Sequence, residues 1–88
     1  MTAREEFKRI GYKLKLDSNQ YLIYARNCYD GVTGEFISFR KHQKKFGVFS
    51  VSASENRNTR MADLEELRAI IKQCKELWGE EYESVFQR

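Results

Sequence analysis

The hydrophobic pattern of this 88-residue chain changes period once, near Thr59, and a single switch of period leaves few folds open. From Gly11 to Ala53 apolar residues recur at roughly every second position and alternate with basic ones. Downstream, Leu64, Leu67, Ile70, Ile71, Cys74, Leu77 and Trp78 recur at helical spacing. That is the pattern of a small antiparallel sheet closed by an amphipathic helix, with most of the positive charge carried by the sheet. One domain spanning residues 1–88 follows, because a second core does not fit in this length. At 14% the aromatic content is high. Bulky rings let a small domain bury more area per residue, roughly 150–250 Å² each.

The punctuation along the chain fills in the elements. Thr2 and Glu5 have the spacing of a capping box, Ala3, Phe7 and Ile10 share one side, and Gly11 is a natural stop, so residues 2–10 read as a short helix. Four strands are predicted next: Tyr12–Leu16, Tyr21–Cys28, Phe36–Lys41 and Gly47–Ala53, joined by turns rich in Asp, Asn, Ser, Gly and Lys. Ser54 to Arg60 is polar and aperiodic and reads as a loop. Asp63 with Glu66 forms a second cap-like pair, and Gly79 is placed to end the last helix after Trp78. Residues 80–88 read as a frayed C-terminal extension, or as a half-turn in which Tyr82, Val85 and Phe86 pack back. The predicted fold is α+β: a four-stranded antiparallel sheet with an N-terminal and a C-terminal helix on one face, in the order α-β-β-β-β-α.

Charge is unevenly spread. Residues 1–61 hold twelve Lys and Arg against six Asp and Glu, a balance of +6, whereas residues 62–88 hold four against seven, a balance of −3. If Leu14, Leu16, Ile37, Phe39, Phe49 and Val51 face the helices, then Lys13, Lys15, Phe36, Ser38, Arg40, Val48, Ser50 and Ser52 face away. That leaves an open sheet face that is basic, hydroxyl-rich and dotted with aromatics. The residues singled out for partner or nucleic-acid binding are Lys13, Lys15, Arg40, Lys41, Lys44, Lys45, Arg57 and Arg60, with Tyr24 and Phe36 as stacking rings. Such a face suits single-stranded nucleic acid, in which phosphates meet cations and bases meet rings. An acidic surface of a host protein or nucleoprotein, reached by electrostatic steering, is the first expectation for it, with direct nucleic-acid binding the alternative. A solvated antiparallel face is polar in any case, and edge lysines suppress aggregation.

Motifs for catalysis are missing from the sequence. His42 is the only histidine, and Cys28 and Cys74 stand apart from it with no CxxC pairing, so neither a zinc site nor an activated thiol is indicated. Cys74 lies on the helical stripe, where a thiol acts as a small hydrophobe. The two-glycine segment Asp30-Gly31-Val32-Thr33-Gly34-Glu35 lacks the Gly-Lys-Ser/Thr ending of a phosphate loop and reads as a hairpin connection. A non-enzymatic protein without cofactor or metal is expected. The charged opening Met1-Thr2-Ala3-Arg4-Glu5-Glu6 is not a secretory signal, and no run nears the ~20 apolar residues of a membrane span. The expected location is the cytoplasm. The width of the helical stripe and the Trp78-Tyr82-Phe86 end offer a contact for a homodimer.

The opening Thr2-Ala3-Arg4-Glu5-Glu6-Phe7 leading to Ile10-Gly11-Tyr12, with Asp63-Leu64-Glu65-Glu66-Leu67 running through Lys75-Glu76-Leu77, resembles small accessory proteins of phages and prophages of Gram-positive bacteria. The resemblance covers both ends of the chain. It implies stoichiometric binding to a host protein or nucleoprotein in a bacterial cell, including a counter-defence role of the anti-CRISPR kind. Many such inhibitors are acidic mimics of nucleic acid, and the basic sheet here departs from that pattern.

Overall fold

The computed structural model describes residues 1–54 and 56–86, with side chains up to Trp78. Helix α1 (Ala3–Arg9) is followed by β1 (Lys13–Asp17), β2 (Tyr21–Arg26), β3 (Gly34–Arg40), β4 (Lys45–Val51), β5 (Arg57–Thr59) and α2 (Leu64–Phe86). The strands form one antiparallel meander in sequence order, β1-β2-β3-β4-β5. The fold is α+β with a helix at each end, as expected. The sheet has five strands rather than four.

The fifth strand lies in the segment read as a loop. Arg57, Asn58 and Thr59 are all exposed, so no apolar alternation marks them. Pairing of Val51 with Arg57 and of Phe49 with Thr59 makes the strand, and the Ser52 amide donates to the Asn56 carbonyl at 3.1 Å to close the turn.

Both helix starts are built as their sequences dictate. The Thr2 hydroxyl accepts from the Glu5 amide, and the Glu5 carboxylate accepts from the Thr2 amide. At α2 the Asp63 carboxylate accepts from the Glu66 amide at 2.8 Å, while Glu66 Oε1 accepts from the Asp63 amide at 3.3 Å. Such caps satisfy backbone donors that the first helical turn leaves unpaired. Gly79 breaks α2 as anticipated, at φ +52° and ψ −123°, and helical backbone resumes as far as Phe86. The expected packing of Tyr82, Val85 and Phe86 lies outside the described residues.

One face of the sheet carries both helices. Phe7 of α1 stacks on Tyr24 of β2 at a centroid separation of 4.1 Å and meets Tyr12 and Phe39 edge-on. Leu22, Ile37, Ala69, Ile70 and Cys74 complete the buried cluster, with Leu14, Val48, Leu77 and Trp78 packed around it. The two helices are also tied directly, because the Ala3 amide donates to the Glu76 carboxylate at 2.7 Å.

Two strands present faces other than those expected. In β1 the register slips between Leu14 and Leu16: Leu14 pairs with Tyr24, but Leu16 pairs with Ile23. Lys15 is the extra residue of a bulge, so Leu16 turns to the open side while Leu14 packs on the core. In β4, Phe46 pairs with Phe39 and Val48 with Ile37, which puts Val48 and Ser50 on the helix side and Phe49 and Val51 on the open side. The turn sets this register. Arg40 and Lys45 close a four-residue connection in which the Arg40 carbonyl accepts from the Gln43 and Lys44 amides and Lys44 adopts φ +54°. Alternate positions of Phe46-Gly47-Val48-Phe49-Ser50-Val51 are apolar on both faces, so period alone does not orient this strand.

Candidate functional site

Each charged residue of the sheet falls on one of two faces, and the two faces treat charge differently. On the helix side Glu35, Glu66, Arg26 and Arg60 are gathered into one network around the buried Glu66, while Asp17 pairs with Lys41. Glu66, 2% exposed, accepts from Arg60 Nη2 at 2.7 Å, from Arg26 Nη2 at 3.4 Å and from the Tyr12 hydroxyl at 2.6 Å. Arg60 also donates to the Tyr12 oxygen. Arg26 lies 4.5 Å over the Tyr12 ring and donates to Glu35 and to the Ile10 carbonyl. Glu35 comes within 3.6 Å of Arg60. The network joins the α1–β1 junction, β2, β3, the residue after β5 and the first turn of α2. A buried carboxylate is tolerated when it is paired and fully hydrogen-bonded.

Protonation follows from this geometry. Burial acts to raise the Glu66 carboxyl, but hydrogen bonds from Arg60, Tyr12 and the Asp63 amide outweigh it and hold the group down at about 2. Burial and the hydrogen bond to Glu66 push the Tyr12 phenol well up, and Arg26 holds Glu35 below the ordinary carboxylate range. All members of the network are therefore in one protonation state at neutral pH. The network is a clasp, with no group poised to exchange a proton.

The open face has the opposite character. Register places Lys13, Lys15, Leu16, Tyr21, Ile23, Ala25, Phe36, Ser38, Arg40, Lys45, Gly47, Phe49, Val51, Arg57 and Thr59 on this side. Five of these are cations. The strand carboxylates, Asp17 and Glu35, pair with Leu22 and Arg26 on the other side, so among the described strand residues no acid faces the five.

Two ridges cross this face. In the first, Lys15 Nζ sits 4.8 Å over the Phe36 ring, Phe36 stacks on Phe49 at 5.4 Å, and the Arg57 guanidinium lies 4.3 Å over Phe49. This is a ladder of cation, ring, ring and cation running across the sheet, with both ends capped by charge. The Lys15 ammonium is held in place by the Gly31 carbonyl. That loop is itself fixed by Asp30, whose carboxylate accepts from the Val32 and Thr33 amides and the Thr33 hydroxyl. Gly34 starts β3 at φ +145°, where a Cβ would lie 2.9 Å from the Arg26 carbonyl oxygen, so only glycine fits. In the second ridge Arg40 lies 5.8 Å from the Tyr21 centroid, with Lys45 paired beside it. Between the ridges runs a shallow trough of about 550 Å³, floored by Ile23, Ser38 and Gly47 and flanked by Leu16, Tyr21, Phe49, Arg40, Lys45 and Arg57.

The residues singled out from sequence divide accordingly. Lys13, Lys15, Arg40, Lys45 and Arg57 are brought together on the open face, whereas three others are placed elsewhere. Arg60 points to the helix side and is held in the buried clasp, because it follows β5 at the parity opposite to Arg57 and Thr59. Lys41 is paired with Asp17 at 2.6 Å, and its carbonyl accepts from Trp78 Nε1 at 2.9 Å, which anchors it at the end of the sheet. Lys44 lies in the β3–β4 turn. Tyr24 is a core residue, 2% exposed, with its hydroxyl donating to Gln73 at 2.6 Å, so it is not a ring of the open surface. Phe36 is on the open face but only 4% exposed, both of its ring faces being taken by Lys15 and Phe49. Tyr21 and Phe49, which sequence reading did not select, are the half-buried rings that line the trough. Their cross-strand positions follow only from register.

No helix among the described residues is long and apolar enough to cross a membrane. Comparison of the chain with protein-family models, with curated proteins and with solved structures returns no match.

Proposed function

We propose that the protein is a non-enzymatic binding module for single-stranded nucleic acid, and that the open face of the sheet is its binding surface. One observation carries this reading: Lys13, Lys15, Arg40, Lys45 and Arg57 share a face with aromatic rings around a trough, and no described strand acid opposes them. Phosphates are met by the cations, and bases stack on Tyr21 and on the outward planes of the Arg40 and Arg57 guanidiniums, the faces of Phe36 and Phe49 being taken within the ladder. Opposite charges across strands stabilise one another, and this face forgoes them. In the phage setting that the chain termini resemble, the module acts stoichiometrically, on nucleic acid or on the nucleic-acid part of a host nucleoprotein.

The test is fluorescence anisotropy of labelled single- and double-stranded DNA and RNA at two salt concentrations. Single strands are expected to bind saturably and more tightly than duplexes. Contacts from Arg40, Lys45 and Arg57 predict a log–log salt slope of about −2 for single strands. The double variant Lys45→Glu/Arg57→Glu is expected to lose at least ~10-fold in affinity and to flatten that slope. Absence of binding at low salt contradicts the reading and moves the surface to an acidic protein partner, to be sought by pull-down.

A further inference from the structure

Gly47 lies within β4, two residues from its start, paired with Ser38 of β3, and neither sterics nor backbone conformation calls for glycine there. Its φ is not in the left-handed region, and a Cβ built on it meets no atom within 4 Å. By contrast, Gly11, Gly31, Gly34 and Gly79 all have positive φ. Glycine in a strand interior weakens the strand, because it adds backbone entropy and packs nothing, and it recurs where a ligand approaches the backbone closely. The direction in which the Cβ would point is the trough, since Gly47 lies on the open face and forms its floor.

We infer that Gly47 is a base-seating residue of this interface, its bare backbone leaving the seat on which one planar nucleobase lies. The inference rests on the reading of the open face as a single-strand binding surface. The neighbours suit a base. Ser38, opposite Gly47, lines the trough, where its hydroxyl can meet a base edge. Ile23 continues the apolar floor, and Phe49 and Lys45, two positions either side on the same strand, stand about 13 Å apart along it. That span admits one flat heterocycle between the edge of the Phe49 ring and a cation, since the faces of that ring are taken by Phe36 and Arg57. Arg40 and Arg57, on opposite sides of the trough, are placed to take the flanking phosphates.

The experiment compares the wild-type chain with Gly47→Ala and Gly47→Val, measuring thermal unfolding and anisotropy of a labelled dT octamer and of an abasic octamer of equal length. Filling the seat is expected to raise Tm by about 4 °C, because glycine is removed from a strand interior. It is expected to weaken dT-octamer binding about threefold for Ala and at least ~10-fold for Val, since a buried methylene displaces part of the base contact. The abasic octamer keeps the phosphate contacts and has no base to seat, so its affinity is expected to be the same for all three proteins. If the wild type binds neither octamer, the open-face reading falls and this inference falls with it. If it binds the dT octamer and Gly47→Ala or a folded Gly47→Val binds as tightly, the seat is contradicted while the open-face reading stands. Equal losses on the abasic octamer likewise contradict the seat, as they show a general disturbance of the face.

Discussion

The two faces of this sheet use the same kinds of residue to opposite ends. On the helix side Arg26 and Arg60 are spent on Glu35 and Glu66, and the rings of Phe7, Tyr24 and Phe39 pack on one another out of water. On the open side Arg40 and Arg57 lie over Tyr21 and Phe49 with no described strand carboxylate to meet them. A guanidinium over a ring at the surface contributes little to stability, about 0.5–1 kcal/mol. A guanidinium paired to a buried carboxylate contributes through the cost of breaking the pair, about 3–5 kcal/mol. Residue type does not assign a cation to fold or to function. Its partner does, and strand parity chooses the partner.

Breaking the helix side should have the largest effect. Glu66→Gln removes the charge that two arginines share, and it should lower unfolding free energy by about 3 kcal/mol in urea titrations. Arg40→Gln, the matched loss of a guanidinium contact on the open side, should lower it by no more than about 1 kcal/mol. Equal costs would erase the distinction between the faces.

Acid sharpens the same contrast. Glu66 ionises at about 2 in the folded protein against an ordinary 4.5, so the unfolded chain takes up the proton first as pH falls. The stability from this group is therefore complete above about pH 5 and is lost progressively as pH drops from 4.5 through 2. The loss amounts to about 3 kcal/mol, and Glu35 adds to it in the same direction. Urea midpoints measured across this range should fall steeply for the wild type and much less for Glu66→Gln. The Lys45→Glu/Arg57→Glu variant should keep most of the wild-type slope, since neither residue touches the clasp.

Much of this architecture was legible in the sequence, and what escaped it has common physical causes. The helices were readable because capping pairs are local: Thr2 with Glu5 and Asp63 with Glu66 announce themselves within four residues. The face of Ile37 and Phe39 was readable because β3 alternates. The parity of β4 was not, because Phe46, Val48 and Phe49 offer an apolar set to either side, and only the four-residue turn with Lys44 in the left-handed region selects one. Leu16 was misplaced by a single extra residue at Lys15, and β5 was invisible because a three-residue edge strand of exposed polar side chains has no hydrophobic period. The candidate site inherits these limits. Charge alone gathers the basic half of it, but the place of Arg60 in the clasp and the meeting of Tyr21, Phe49 and Gly47 depend on cross-strand register, which residue spacing does not carry.

The most direct test of the division between faces is a methyl NMR titration with a dT octamer. Ile23 and Val51 project their methyls to the open side, while Ile37 and Val48 lie on the same sheet facing the helices. Saturable shifts are expected at Ile23 and Val51, with Ile37 and Val48 unmoved at the same protein and ligand concentrations. Shifts concentrated at Ile37 and Val48, or saturable binding that leaves Ile23 and Val51 in place, would contradict it.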